Sequence, residues 1–331
     1  MTTTADKTAS AIEPVPLALY GQDLSLFAQQ LGASFERYGF AVLSGLYDKD
    51  GAGLDKGLVD RAYEVTKAFF ALPDEVKRAY HQKGGGGARG YTPFGVETAK
   101  GHTAHDLKEF WHIGRDLPPD HPFRGHMRDN IWPEEIAEFR ETLQALYAAL
   151  DALGQRVLKA IALYLKLNPD FFDDKVRFGN SILRMLHYPP VTSEGDSVRA
   201  GAHGDINVIT LLMGAEEPGL QLQDRDGSWL PITPPEGCIV INIGDMLSRL
   251  TNNVLPSTIH RVVNPAEGRK AYARYSIPFF LHFESPYLIR TLENCVLPER
   301  PDQFPEAITA DAFLQQRLRE IKLVEGLIGS N

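Results

Sequence analysis

Apolar residues at helical spacing open the ordered part of the chain. Leu24, Leu26, Phe27, Leu31 and Phe35 recur through 22–38 as one face of an amphipathic helix, which Gly39 ends. Phe40-Ala41-Val42-Leu43 is continuously apolar and reads as a short buried strand. A second helical pattern over Asp55 to Leu72 places Val59, Ala62, Val65, Phe69 and Phe70 on one side and stops at Pro73, whose ring cannot continue a helix. The longest pattern follows Pro133: Ile136, Phe139, Leu143, Leu146, Tyr147, Leu150, Leu153, Val157 and Ile161 keep close to the helical period and predict a brace packed on a sheet. Beyond Phe178 the character changes to short β-rich runs at Ser181–Tyr188, Asn207–Met213, Leu220–Asp224, Cys238–Ile243, Ser257–Val263 and Tyr272–Phe280. Turn-forming Asp224-Arg225-Asp226-Gly227 and Pro234-Pro235-Glu236-Gly237 lie between them. Several short strands with regular turns predict a sandwich or barrel, and a jelly roll is the form that encloses a site. Ala310 to Leu327 reads as a closing helix with Asp311 as N-cap, and Met1 to Pro14 as a loose tail. The predicted fold class is α+β, mainly β, with a jelly-roll core flanked by helices.

Composition narrows the function. Across 331 residues, 43% hydrophobic and 23% charged is a globular balance that excludes disordered and fibrous classes. The net charge of −9 argues against a nucleic-acid partner, which would ask for clustered positive charge. No apolar run reaches the roughly 18 residues of a membrane span, and polar Met1 to Pro16 lacks the apolar segment of a secretory signal. Cys238 and Cys295, far apart, fit a cytoplasmic protein and exclude a disulfide scaffold or zinc ribbon; Cys238 reads as a buried small residue. Gly84-Gly85-Gly86-Gly87 lacks the Lys-Ser/Thr pair of a phosphate loop and reads as a surface loop.

Ten histidines leave several clusters in competition. His203-Gly204-Asp205 stands before the apolar run Ile206 to Met213, and side chains at i and i+2 of an extended segment share a face. His260, on the predicted strand Ser257–Val263, is the best third ligand. Two histidines and one carboxylate on one side of a metal leave positions open, as ferrous oxygenases require. Further on, Arg274-Tyr275-Ser276 puts a guanidinium fork beside a hydroxyl, a pairing suited to gripping a carboxylate. His102-x-x-His105-Asp106 and His121 with His126 are rival clusters in polar loops without a convergent partner, and read as solvated. Asp245, after Gly244 at a strand end, reads as a turn former.

These motifs, in this order, resemble the isopenicillin N synthase-like branch of iron(II)/2-oxoglutarate-dependent dioxygenases. The resemblance covers most of the chain. Leu183-Arg184-Met185-Leu186-His187-Tyr188-Pro189-Pro190 is similar to the family's strand bearing a co-substrate tyrosine, here Tyr188. Gly219-Leu220-Gln221-Leu222-Gln223, Asn242-Ile243-Gly244-Asp245 and His260-Arg261-Val262-Val263 resemble its barrel signatures, and Tyr38-Gly39-Phe40 and Phe69-Phe70-Ala71-Leu72-Pro73 its N-terminal region. Three departures leave the ligands intact. Leu186 stands where many members carry asparagine, Gly204 replaces a frequent serine or threonine, and the interval from His260 to Arg274 implies an extended hairpin around Ala266–Lys270.

The resemblance implies that His203, Asp205 and His260 hold Fe(II). It also implies that 2-oxoglutarate binds through Arg274, Ser276 and Tyr188, and that a small-molecule substrate is oxidised with O2 while succinate and CO2 are released. The metal centre is then the only catalytic group. Arg89-Gly90-Tyr91-Thr92-Pro93 and Asp106-Leu107-Lys108-Glu109-Phe110 fall where the family's substrate loops lie, which makes Arg89 and Tyr91 substrate-loop candidates and the glycine tract before them a lid hinge. The implied organisation is an N-terminal α/β region over 1–120, bracing helices over 121–175, the jelly-roll domain over 176–290 and a closing helix over 291–331. A 2-oxoglutarate-independent iron oxidase of the same branch, an enzyme that fragments 2-oxoglutarate itself, and a non-catalytic iron- or ligand-binding barrel stay open at this stage.

Overall fold

Two of the long helices begin where an aspartate satisfies the otherwise unbonded amides of the first turn. Asp23 Oδ1 accepts from the Leu26 amide at 2.9 Å, and Asp55 Oδ1 from the Leu58 amide at 2.6 Å. The computed structural model describes residues 12–48, 53–82, 88–95, 108–190, 199–213, 219–264 and 272–320. Its helices are α1 (Leu19–Gln22), α2 (Leu24–Tyr38), α3 (Lys56–Phe70), α4 (Asp74–Ala79), α5 (Phe139–Tyr164), α6 (Asp173–Val176), α7 (Asp245–Leu250) and α8 (Ala310–Glu320). The strands are β1 (Val15–Pro16), β2 (Phe40–Ser44), β3 (Gly90–Thr92), β4 (Glu109–Gly114), β5 (Ile182–Tyr188), β6 (Ala200–His203), β7 (Ile209–Met213), β8 (Leu220–Gln223), β9 (Trp229–Pro231), β10 (Ile239–Ile243), β11 (His260–Val262), β12 (Arg274–Leu281), β13 (Leu288–Ile289) and β14 (Ile308–Thr309). No described helix is long and apolar enough to cross a membrane.

Twelve strands form two sheets. The larger has the order β1-β2-β10-β7-β12-β5-β4-β3 and the smaller β6-β11-β8-β9. Alternation sorts the larger sheet into two faces. Leu183, Met185, Leu211, Ile241, Ile277 and Phe279 point to the outer face, where they join the main core with α2, α3 and α5. The inner face meets the smaller sheet through Phe40, Val42 and Val240 on one side and Ala200, Leu220, Leu222 and Val262 on the other. The site lies between the sheets.

Gly39 takes φ 68° at the end of α2, a left-handed conformation open to glycine, and turns the chain straight into β2. A Cβ there would collide with the Pro256 carbonyl, so this turn also fixes how closely the segment before β11 approaches. The N-terminal strand is thereby delivered beside β10, with Val42 opposite Val240.

Several expected boundaries move. The C-terminal helix is capped by Thr309, whose Oγ1 accepts from the Ala312 amide at 3.2 Å. Asp311 instead lies inside the first turn, its amide donating to the Ser285 carbonyl at 3.0 Å, because the β13–β14 ladder runs to Thr309. Asp245 opens α7 rather than forming a turn. Glu109 and Phe110, expected in a substrate loop, begin the wholly buried strand β4. The glycine tract 84–87, the cluster His102–Asp106, the hairpin 266–270 and residues 321–327 lie outside the described residues.

Glu109 can open a buried strand because its partners are buried with it. Lys77 Nζ lies 2.8 Å from Glu109 Oε2, with the two side chains 8% and 1% exposed. His187 Nδ1 sits 2.7 Å from Oε1, and the Tyr91 hydroxyl donates to Oε2. Burial alone would raise the carboxyl, but these bonds outweigh it and hold Glu109 below the usual carboxylate range. Lys77→Met leaves that carboxylate without its cation and should cost about 3 kcal/mol in urea unfolding, in keeping with a broken buried pair. The double variant Lys77→Met/Glu109→Gln should recover much of the loss.

Candidate active site

His203 ends β6 and His260 begins β11, and the two residues face each other directly across that ladder. Their rings lie 4.5 Å apart, centroid to centroid. The carboxylate arrives differently from the strand-alternation argument. Asp205 stands beyond β6 in the turn toward β7, anchored there by the Asp245 amide, which donates to the Asp205 carbonyl at 2.7 Å. Among the described residues, His203, Asp205 and His260 form the group whose ligand atoms come within 4.8 Å of one another.

The bonds around the three side chains select which atoms remain for a metal. His203 Nδ1 is 2.7 Å from the Gly201 carbonyl and His260 Nδ1 is 3.1 Å from the Thr258 carbonyl, so each Nδ1 carries the hydrogen and each Nε2 keeps a lone pair. Thr210 Oγ1 at 2.5 Å and Asn242 Nδ2 at 2.8 Å both donate to Asp205 Oδ2. Asp205 Oδ1 is left to the cluster, 4.0 Å from His203 Nε2 and 3.8 Å from His260 Nε2. Burial raises the Asp205 carboxyl, but the neighbouring imidazoles and these two donors prevail and hold it below its usual value. Burial pushes the His203 imidazole down to about 4, so it is neutral and ligand-competent at physiological pH. Two imidazole Nε2 atoms and one carboxylate oxygen, each steadied from behind, suit a ferrous ion.

The second group lies on the large sheet's inner face. Arg274 and Ser276 share that face, and Arg274 Nη1 donates to Ser276 Oγ at 3.2 Å, both residues being buried. Arg274 pairs with Tyr188 across β12 and β5, and its guanidinium lies 5.2 Å from the Tyr188 ring centroid. Leu186, opposite Ser276, packs with Phe110 and Tyr188 as a small apolar cluster. A guanidinium and a hydroxyl set in an apolar wall can hold one carboxylate of a dicarboxylate.

The other singled-out residues part ways. Arg89 is buried at the start of β3 on the inner side of the sheet. Tyr91, expected as a substrate contact, instead stands opposite Trp111 on the outer face, bonded to Glu109 and packed in the main core. His121 packs against Phe123 and Phe178, and His126 lies 3.8 Å from Asp311. Cys238 and Cys295 are buried free thiols. Thr210, Asn242 and Asp245 went unrecognised as holders of Asp205. Their signal was faint: a hydroxyl and an amide in otherwise apolar runs.

His282, just beyond β12, is buried at 7% exposure, and desolvation pushes its imidazole down to about 4. Between about pH 6.5 and pH 4 the folded protein therefore binds fewer protons at this site than the unfolded chain, and stability falls as pH falls through that window. The contribution is at most about 3 kcal/mol. His282→Gln should flatten this part of the curve of urea midpoint against pH.

Comparison with known proteins identifies the family. Residues 13–135 match the model of the non-haem dioxygenase in morphine synthesis N-terminal region, and residues 179–283 that of the 2OG-Fe(II) oxygenase superfamily. A 2-oxoglutarate-Fe(II) type oxidoreductase, hxnY of Emericella nidulans, is 35% identical over 88% of this chain and 85% of its own length. The crystal structure of a 2OG-Fe(II) oxygenase family protein from Caulobacter crescentus superposes with a TM-score of 0.87 at 64% identity, covering 94% of this chain and 99% of that one. A full-length Neurospora crassa protein crystallised in complex with alpha-KG and thymine gives 0.81 at 29% identity, covering 95% and 98%.

Proposed function

The chain belongs to the 2OG-Fe(II) oxygenase superfamily, and from that premise we propose that His203, Asp205 and His260 hold its Fe(II) while Arg274, Ser276 and Tyr188 receive 2-oxoglutarate. The protein is an Fe(II)- and 2-oxoglutarate-dependent oxygenase of a small molecule. Bound iron and co-substrate supply the oxidising chemistry: O2 is consumed, 2-oxoglutarate leaves as succinate and CO2, and the substrate is oxidised.

The chain's own residues do three things. Nδ1–H bonds to the Gly201 and Thr258 carbonyls turn both imidazoles so that Nε2 faces the cluster. Thr210 and Asn242 hold Oδ2 of Asp205 and keep it ionised, so its charge offsets that of a divalent cation. Arg274 and Ser276, at the start of β12, give a dicarboxylate an anchor remote from the metal and fix its orientation. Apolar side chains pack between the sheets beside the site. The observation that carries the reading is the convergence of two Nε2 atoms and one carboxylate oxygen, each selected by a bond behind it.

The barrel is read as a jelly roll, or double-stranded β-helix. Support comes from the strand order, since β5, β12, β7 and β10 adjoin in one sheet and β6, β11, β8 and β9 in the other. With it goes the division into an N-terminal region over 1–120, braces over 121–175, the jelly roll over 176–290 and a closing segment over 291–331, and a cytoplasmic setting. The test is a screen of small metabolites for oxygen uptake with Fe(II) and 2-oxoglutarate, with succinate measured in parallel. Substrate-stimulated uptake matched by succinate supports the reading. Uptake without succinate indicates an oxidase that does not use 2-oxoglutarate, and no uptake with any metabolite counts against an enzyme.

A further inference from the structure

The chamber has a second buried guanidinium, at the opposite end from Arg274. Arg89 is 2% exposed. Its Nη1 donates to the Ala88 carbonyl at 2.7 Å and its Nη2 reaches Asn180 Oδ1 only at 3.5 Å, while Nε has no partner among the described residues. Neither of those bonds goes to a carboxylate. Burial pulls its pKa below the ordinary arginine value, yet a guanidinium stays charged at any physiological pH. A buried guanidinium with no direct carboxylate bond among the described residues is costly to the fold, even with Asp116 and Asp129 close enough to act on its charge.

The side chain's position follows from a missing one. A Cβ on Gly114 would overlap Arg89 Nη2 and Cζ, so the guanidinium fills the place of a Gly114 side chain. Residue 114 has the parity of Phe110, which packs on the inner face with Leu186 and Tyr188. Strand register then lays one row across the sheet: Gly114 opposite Ile182, Ile182 opposite Phe280, Phe280 opposite Thr210, and Thr210 opposite Asn242. The last two hold Asp205. Arg89 and the metal-facing carboxylate therefore share one level of the chamber, three strand spacings or about 14 Å apart along the wall. The backbone of Arg274 stands six residues, about 20 Å along β12, from that of Phe280. One co-substrate cannot occupy both guanidinium sites. Between Arg89 and Thr210 the wall is Ile182 and Phe280, apolar residues that are only half-buried, with the Arg184 guanidinium 5.2 Å from the Phe280 ring centroid.

We propose that Arg89 binds the carboxylate of the substrate to be oxidised, making that substrate an organic acid whose apolar body lies on Ile182 and Phe280 and reaches toward Asp205. The proposal rests on the metal and co-substrate assignments above. The anion supplies the direct carboxylate contact that Arg89 lacks among the described residues, and at so buried a site the pair discriminates against uncharged molecules.

The test uses the full-length protein loaded with Mn(II) and 2-oxoglutarate. Phenylacetate and octanoate are titrated by calorimetry beside phenylacetamide and octanamide. The acids should bind at least about thirtyfold more tightly than their amides, the low end for losing one partner of a buried charge pair. Arg89→Gln should erase that difference and leave 2-oxoglutarate affinity unchanged. Equal binding of acids and amides, no acid binding at millimolar concentration, or undiminished acid binding by Arg89→Gln would overturn the proposal. Arg89→Met supplies an independent readout without ligands. Removing a buried charge that has no direct carboxylate bond should leave the melting temperature unchanged or raised, whereas a marked fall or failure to fold makes Arg89 a framework residue and ends the idea. Failure of the parent protein to bind 2-oxoglutarate shows before any acid is added, and strikes the assignment of the chamber itself.

Discussion

Asp205→Ala yields a folded protein without turnover, and its affinity for Mn(II) or Fe(II) falls by at least about a hundredfold. Removing a partner behind a metal ligand commonly costs about 10- to 100-fold in affinity, so removing the ligand itself costs no less. The substitution takes away the only negative charge among the three ligands and strands two buried donors, Thr210 Oγ1 and Asn242 Nδ2, which both point at Oδ2. Asp205→Asn separates the two losses. It keeps an oxygen for those donors but removes the charge, so metal binding should stay weak while thermal stability returns toward that of the parent. Metal titration by calorimetry, with circular dichroism for the fold, checks both variants. Parental metal affinity in Asp205→Ala would remove the triad from consideration.

Arg274→Ala leaves metal affinity intact and weakens 2-oxoglutarate by about 2–5 kcal/mol, or tens- to thousands-fold, as truncation of one partner of a buried, charge-assisted pair does. Arg274 is 4% exposed and its guanidinium is bonded to Ser276 Oγ, so the charge is presented from a buried position. Ser276→Ala removes a single neutral bond and should cost about 1 kcal/mol. Titration of 2-oxoglutarate into the Mn(II)-loaded variants measures both. Equal losses from the two substitutions would move the anchor away from the guanidinium.

The metal and co-substrate groups were legible because their chemistry demands particular residue types in a particular order: a histidine and an aspartate two apart, a later histidine, and an arginine beside a serine. The support behind them was not. Asn242 and Thr210 reach Asp205 because they stand opposite each other on β10 and β7, a register that joins residues 32 apart and leaves no local trace. Strand β4 was hidden for a related reason. Glu109-Phe110-Trp111-His112 carries a charge that looks solvated until Lys77, on a distant helix, is found against it. The Asp205 turn shows the opposite case, in which the right residues were chosen for a geometric reason the structure does not use. Helices read best, because their period depends on neighbours three and four residues away.

The pairing of β2 with β10 also has a consequence during synthesis. Phe40 to Ser44 leave the ribosome long before Ile239 to Ile243, their antiparallel partners, have been made. At about 5–20 residues per second, translating the roughly 200 residues between them takes about 10–40 s. Throughout that interval Phe40-Ala41-Val42-Leu43, wholly buried at the end, has among the described residues only the short parallel segment Val15–Pro16 as a strand neighbour from upstream. An apolar strand with an open edge invites association with other nascent chains. Holdase chaperones should therefore matter most for this protein while it is between about an eighth and three quarters translated, and slower elongation in that stretch should lower the soluble yield rather than the activity of the molecules that finish.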